Sequence, residues 1–211
     1  MNKKKFALIA IVMLLIAVIA FYKNRKTVAD KLEESGLFSN DSSGVQLVTN
    51  EEPIKGTMPD LNHKITFDSA VTADRKITSV QSITTLKELL EKDERDWDAW
   101  VDLSNYVSAA GDDSYALVIL EFVATNTPEW ALPLGNMGMI YGYHLHDNAK
   151  AEVAFRTAIA REPNVTYYWI QLYQFLTDIG QTSRAKDVLR EGISKKVSGY
   201  QDLQVILSST K

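Results

Sequence analysis

The chain has 211 residues, no cysteine, 23 lysines and arginines and 27 acidic residues, for a net charge of −4. Without thiols it forms no disulfide, no cysteine nucleophile and no lipidated N-terminal cysteine. Residues 1–26 hold six of the basic residues and none of the acidic ones, so the remainder carries 17 basic against 27 acidic groups, a net of about −10 that argues against nucleic acid as a partner.

Phe6 to Tyr22 is an unbroken apolar run between Lys3-Lys4-Lys5 and Lys23-Asn24-Arg25-Lys26. As a helix it spans roughly 25 Å, close to the roughly 30 Å hydrocarbon core, with flanking lysines able to snorkel. Residues 1–26 are therefore expected to be a transmembrane anchor with basic flanks. Val18-Ile19-Ala20 also satisfies the small-residue preference for signal-peptide cleavage, but the apolar run passes straight through it, which favours an uncleaved anchor. Three basic residues stand on each side of the span, so the positive-inside rule is close to silent. A very short leader before an N-terminal anchor favours a cytoplasmic N-terminus. The expectation is a single-pass inner-membrane protein with its soluble domain on the outer face.

Residues 27–79 read as a largely irregular linker. Ser39-Asn40-Asp41-Ser42-Ser43-Gly44, Glu51-Glu52-Pro53 and Pro59-Asp60 are turn and loop formers without helical periodicity. As a flexible tether this segment has an r.m.s. span of roughly 40 Å. Lys64-Ile65-Thr66-Phe67 alternates like a short strand able to lie against the first helix.

From residue 80 onward the chain repeats. Trp100, Leu134, Trp169 and Leu203 are spaced by 34, 35 and 34 residues, and a matching pattern follows the first three. Ala116, Ala151 and Ala185 are small where paired helices approach; Leu120, Phe155 and Leu189 are large between units; Pro128 and Pro163 close two units, with Val197 at the third. A period in this range marks stacked helical hairpins, in repeats of about 97–130, 131–165 and 166–199. Gly111 and Gly180 fall at chain reversals that need positive φ. Asp112, Asp113 and Ser183 fall where the second helix needs an oxygen at its N-terminus. In the middle unit Leu145 takes the glycine position, and one extra residue within His146-Asp147-Asn148 accounts for the step of 35. Thr84 to Lys92 reads as a lone second helix, with Leu86, Leu89 and Leu90 one period before Leu120, Val123 and Ala124. Residues 200–208 read as a capping helix with Leu203 and Ile206 inward and Gln201, Gln204 and Ser208 outward.

These residues resemble the tetratricopeptide repeat (TPR). Leu134-Met137-Gly138-Tyr141-Ala151-Phe155-Ala158-Pro163 is nearly complete, while the first unit has Ser104 and Val107 in place of Gly and Tyr, and the third lacks the closing Pro. Together with Met58 to Phe67, the chain is similar to small single-pass membrane-anchored bacterial TPR proteins, a likeness that carries no activity. The resemblance implies an all-α TPR solenoid of about three repeats with caps, a protein or peptide partner, and a ligand on the concave face of the first helices. It places Asp98, Val101, Asn105, Ala109, Leu132, Asn136, Met139, Tyr143, Tyr167, Ile170, Gln171 and Gln174 on that face. Asn105 and Asn136 match two asparagines of a TPR subclass that grips a terminal carboxylate. Val101, Tyr167 and Gln171 stand where its cations belong, so that mode is rejected. What remains is a neutral groove with Met and Tyr, fit for an extended or helical peptide.

No catalytic arrangement emerges, and no enzyme, cofactor or metal is expected. His144-Leu145-His146-Asp147 clusters ligand-type residues, but two histidines two apart on a helix diverge, and a hairpin turn explains them better. Gly135 to Gly142 lacks both the dinucleotide fingerprint and the P-loop lysine, and falls inside a helix. Two functions are weighed: a membrane-tethered scaffold that captures a peptide in its groove, and an oligomerisation element of an envelope assembly with the groove empty.

Overall fold

The structure is a computed structural model and describes residues 52–210. The expected anchor and the linker up to residue 51 lie outside the described residues. Among the described residues no helix is long and apolar enough to cross a membrane.

Within them the chain is helical, with no strand. The helices are α1 (Ala73–Leu90), α2 (Trp97–Ala110), α3 (Asp113–Asn126), α4 (Leu132–Met139, continued by a π-helical turn, Ile140–His144), α5 (Asn148–Arg161), α6 (Thr166–Asp178), α7 (Thr182–Ser194) and α8 (Tyr200–Ser209). α2–α3, α4–α5 and α6–α7 pack as hairpins, each against the next, with α1 on α2 and α8 on α7. This is a TPR-like stack. The tryptophan anchors occupy equivalent surroundings: Trp100 and Trp169 are 0% and 1% exposed. Each indole N–H donates to a carbonyl six residues upstream, Glu94 at 3.0 Å and Pro163 at 2.9 Å.

Helix ends follow local chemistry. Asp96, Asp112 and Asp147 each accept an amide of the first turn of α2, α3 and α5. Gly111 and Gly180 reverse the chain at φ +99° and +78°. Ser183 caps nothing: α7 begins at Thr182 behind Gln181, without a side-chain cap, so Ser183 lies inside the first turn, two residues past the cap position. α3 and α5 end at Asn126 and Arg161, before Pro128 and Pro163.

The extra residue of the middle unit lies elsewhere than expected. The π turn over Ile140–His144 absorbs it, with the Leu145 amide bonded to the Ile140 carbonyl at 3.0 Å. Leu145 stays right-handed, and His146 takes the positive φ of +54° that Gly111 takes in the first hairpin. His144 Nδ1 lies 2.8 Å from Asp113 Oδ1, tying the π turn to the first hairpin.

Helix α1 starts at Ala73, before the expected Thr84, behind Thr72 as N-cap. Its inward residues are Ser79, Ile83 and Leu90, while Leu89 is 37% exposed. Leu86 and Leu90 face the core as their phase predicts, with Ile83 one turn before them, and Leu89 alone departs from the expected Leu86-Leu89-Leu90 set.

The residues before α1 form a strap rather than a strand. It runs antiparallel to α3, and α3 and its neighbours satisfy its backbone. Lys55 N donates to Asn126 Oδ1 at 2.7 Å and Lys55 O accepts from Asn126 Nδ2 at 3.0 Å. The Tyr115 hydroxyl donates to the Asp60 carbonyl. Thr66 N donates to Asp112 Oδ2 at 3.0 Å, and Asp68 N to the Ala110 carbonyl at 2.8 Å. The His63 ring stacks on Tyr115 with centroids 3.9 Å apart, its Nε2 3.0 Å from Asp112 Oδ2. Ile54, Leu61 and Ile65 pack on the core of the first hairpin. An extended chain makes no internal ladder, so burial here requires these partners. Burial pushes the Asp112 carboxyl up, but the bonds from His63 and the Thr66 and Tyr115 amides outweigh it and hold the pKa below the usual value. Burial, with the charges of Asp60 and Asp112, pushes Tyr115 up to about 12, so its phenol stays a donor.

Two apolar clusters fill the interior. One joins α1, α2, α3 and the strap around Trp100, the other joins α4 to α8 around Trp169 and Phe175, and Met137 touches both. Gly138 admits the Phe155 ring: a Cβ there would lie 2.7 Å from it. The glycine-rich stretch is helix packing.

Candidate functional site

The first helices α2, α4 and α6 present one face on which most of the mapped residues meet. Asn136 Nδ2 donates to Asn105 Oδ1 at 3.0 Å, joining α4 to α2. The Tyr143 hydroxyl donates to Asp178 Oδ2 at 2.8 Å, and Gln174 Nε2 donates to Asp178 Oδ1 at 3.1 Å. Gln171 Nε2 donates to the Tyr167 hydroxyl at 2.9 Å. Tyr167 is 52% exposed and Met139 40%, while Ile170 is half-buried against the core. Asp98, Asn105, Ala109 and Gln174 are exposed, and Leu132, Asn136, Tyr143 and Gln171 intermediate.

Val101 is the exception. It is 3% exposed and belongs to the core shared with α1, so it is no groove residue. The helical stripe through Asp98, Asn105 and Ala109 passes through Asp102, which is exposed. Asp102 lines a hollow of about 320 Å³ with Gln81, Ser82, Thr85, Leu86 and Tyr106. Packing beside α1 raises its pKa, and the neighbouring charges of Asp98 and Asp96 raise it further.

The face is therefore acidic rather than neutral, because Asp102 and Asp178 join it. Both were within reach of the sequence, Asp102 at four residues from Asp98 and Asp178 at four from Gln174. Burial raises the Tyr143 pKa, followed by its bond to Asp178 and that carboxylate's charge, so Tyr143 remains a donor fixed by Asp178.

The side-chain amides are held by one another, by the Tyr167 hydroxyl or by Asp178, leaving rings and carboxylate edges as the outward chemistry. Gln171 Oε1 is the buried side-chain oxygen that lacks a donor among the described residues; a Cβ on Gly135 would lie 3.0 Å from it.

No protein-family model matches the chain, and no curated protein matches it. Among solved structures, the crystal structure of MamA superposes with a TM-score of 0.45 at 18% identity, over 60% of this chain and 75% of that one. At that level the likeness lends no residue and no role, and the repeat architecture rests on the hairpins themselves.

Proposed function

We propose that the chain is a membrane-tethered TPR-like scaffold that captures a protein or peptide partner on its first-helix face, at the outer side of the inner membrane, and is not an enzyme. The observation that carries this reading is the row of mutually oriented polar groups, Asn105–Asn136, Gln171–Tyr167 and Tyr143–Asp178–Gln174, beside exposed Tyr167 and Met139. Side chains fixed in advance lose little entropy on binding. The suited partner is a segment that lays an apolar side chain on Tyr167, Met139 and Ile170 and presents N–H or cationic donors to Asp178 and Asp102. The apolar run at residues 6–22 would confine this face near the membrane and raise its effective concentration for partners held there.

A photocrosslinking residue in place of Tyr167 tests the face, with one in place of exposed Arg190 on α7 as control. Adducts with a discrete partner at 167 and none at 190 are expected. Equal labelling at both positions removes the proposal. A reporter active only outside the cytoplasm, fused after Lys211, tests the orientation.

The second reading, oligomerisation with the face empty, has one observation in its favour. Val205 is 66% exposed on α8, in the outward stripe with Gln201, Gln204 and Ser208. A monomer in a size measurement of the chain discounts it.

A further inference from the structure

The groove that holds the strap belongs to a repeated unit, so its features recur one repeat later. Asp112 and Asp147 are the N-caps of α3 and α5. In Asp112, Oδ1 accepts the amide of Tyr115, and Oδ2 accepts the strap amide of Thr66. In Asp147, Oδ1 accepts the amide of Lys150, at the Tyr115 position, and Oδ2 meets the Lys150 Nζ at 3.2 Å. That ammonium is on a side chain 64% exposed and also lies over the Tyr141 ring, 5.4 Å from its centroid. The oxygen that receives the strap in the first hairpin is thus engaged in the second by a solvated lysine.

The apolar floor recurs too. Trp100, Leu103 and Val107, within the cluster that the strap joins, are all 0% exposed. Their counterparts Leu134, Met137 and Tyr141 line an open hollow of about 360 Å³, with Lys150, Val153 and Thr157 on α5. Val153, on its rim, is 66% exposed. A volume near 360 Å³ lies at the small end of the roughly 300–1,000 Å³ of ligand pockets, enough for a few side chains rather than a helix. At the far end, where Asn126 receives Lys55, the second hairpin has Arg161, whose Nη1 donates to the Ala124, Thr127 and Trp130 carbonyls and so offers no amide pair to an incoming backbone. A segment seated here runs from the Asp147 end and stops before Arg161.

We propose that this hollow on the α4–α5 hairpin is a second strap site, taking an extended segment of another polypeptide with the strap's pattern of apolar residues around a buried proline, Pro59 in the strap itself. It lies apart from the first-helix face and does not depend on peptide capture there. An incoming backbone amide displaces the Lys150 ammonium from Asp147 Oδ2, as the Thr66 amide occupies Asp112, and two apolar side chains cover Met137 and Tyr141. The occupant is extended because the groove offers a backbone acceptor beside an apolar floor, a combination a helix with its own hydrogen bonds leaves unused.

The probe is a labelled peptide of residues 52–68, added to the full chain in lipid nanodiscs with methionine methyl groups observed by NMR. Met137 lines the hollow, Met139 lies on the first-helix face and Met58 lies on the chain's own strap, so the three separate the alternatives. Saturable binding that moves Met137 and leaves Met139 and Met58 in place is expected. Val153→Glu and Thr157→Arg, both at exposed positions, should each weaken it by about tenfold or more, with helical content unchanged. Tyr167→Ala should leave it intact. No saturation by roughly 1 mM, a shift confined to Met139, or a shift of Met58 showing exchange with the resident strap overturns the proposal. So does a chain dimer that the peptide dissociates, which would assign the hollow to a second copy.

Discussion

The two ends of the stack are finished differently. At the C-terminal end α8 inserts Leu203 against Trp169 and Gly192, where a glycine Cβ would lie 2.6 Å from the Leu203 Cδ1. At the N-terminal end α1 shares the work with an extended strap. A helix brings its own hydrogen bonds, so its partner need only be apolar. An extended chain brings unpaired amides and carbonyls, so the helix beneath must carry polar groups at the right steps. α3 has Asp112, Tyr115 and Asn126 at those steps, whereas α7 has Gln181, Arg184 and Lys195 and carries no strap among the described residues. Asp112, Tyr115 and Asn126 thus supply the backbone partners that the extended strap lacks in itself.

The largest expected effect tests whether the ends are equally sealed. Trp100→Ala and Trp169→Ala should each cost about 3–5 kcal/mol in denaturant unfolding. A cost confined to Trp169 would show that the strap end collapses around its cavity. Next come the two chain reversals. Gly180→Ala meets open space and should cost about 1–2 kcal/mol from its positive φ alone. Gly111→Ala adds a Cβ 2.5 Å from that of Asp68, so its cost should be larger, about 3 kcal/mol, with the strap displaced. Equal costs would mean that the strap contributes little.

Asp112→Ala should cost about 2 kcal/mol, since it removes a cap and a strap acceptor together, against about 1 kcal/mol for Asp147→Ala. The pH dependence has the same source. The Asp112 carboxyl sits below its usual pKa when folded, so its contribution is complete at neutral pH. It is lost as pH falls below about 4 and the carboxyl protonates. Protection of the Thr66 amide against hydrogen exchange, relative to its intrinsic rate at each pH, should fall over that range and stay flat in Asp112→Asn.

The repeat was legible because its spacing is enforced by packing: Ala116, Phe155 and Trp169 stand where only small or large residues fit. The strap was not, because its partners on the first hairpin are 42 to 71 residues away and follow no local period. Its alternating Lys64-Ile65-Thr66-Phe67 did signal a half-covered segment, with Ile65 and Phe67 turned inward. The start of α1 was obscured by its β-branched, Ser- and Thr-rich sequence, in which exposed Ile77 and Val80 blur the apolar stripe. On the first-helix face, Asn105, Asn136 and Tyr143 followed from repeat phase. Val101 misled because one step of three rather than four turns the stripe into the core.

The smallest expected effect falls on that face and separates fold from function. Tyr143→Phe keeps the ring on Phe175, with centroids 6.0 Å apart, and removes only the bond to Asp178. Its stability cost should stay below about 1 kcal/mol, as for a single partly solvated hydrogen bond. The Asp178 carboxylate would then lose one of two donors and turn toward solvent. If the face serves a donor-rich partner, Tyr143→Phe should alter binding while leaving the denaturation midpoint nearly in place, and Asp178→Asn should weaken binding further by removing the charge. A midpoint shift as large as that of Asp112→Ala would instead make the Tyr143–Asp178 pair part of the scaffold. The first-helix face would then be as structural as the strap end, and the difference between them would lie only in which chain covers each.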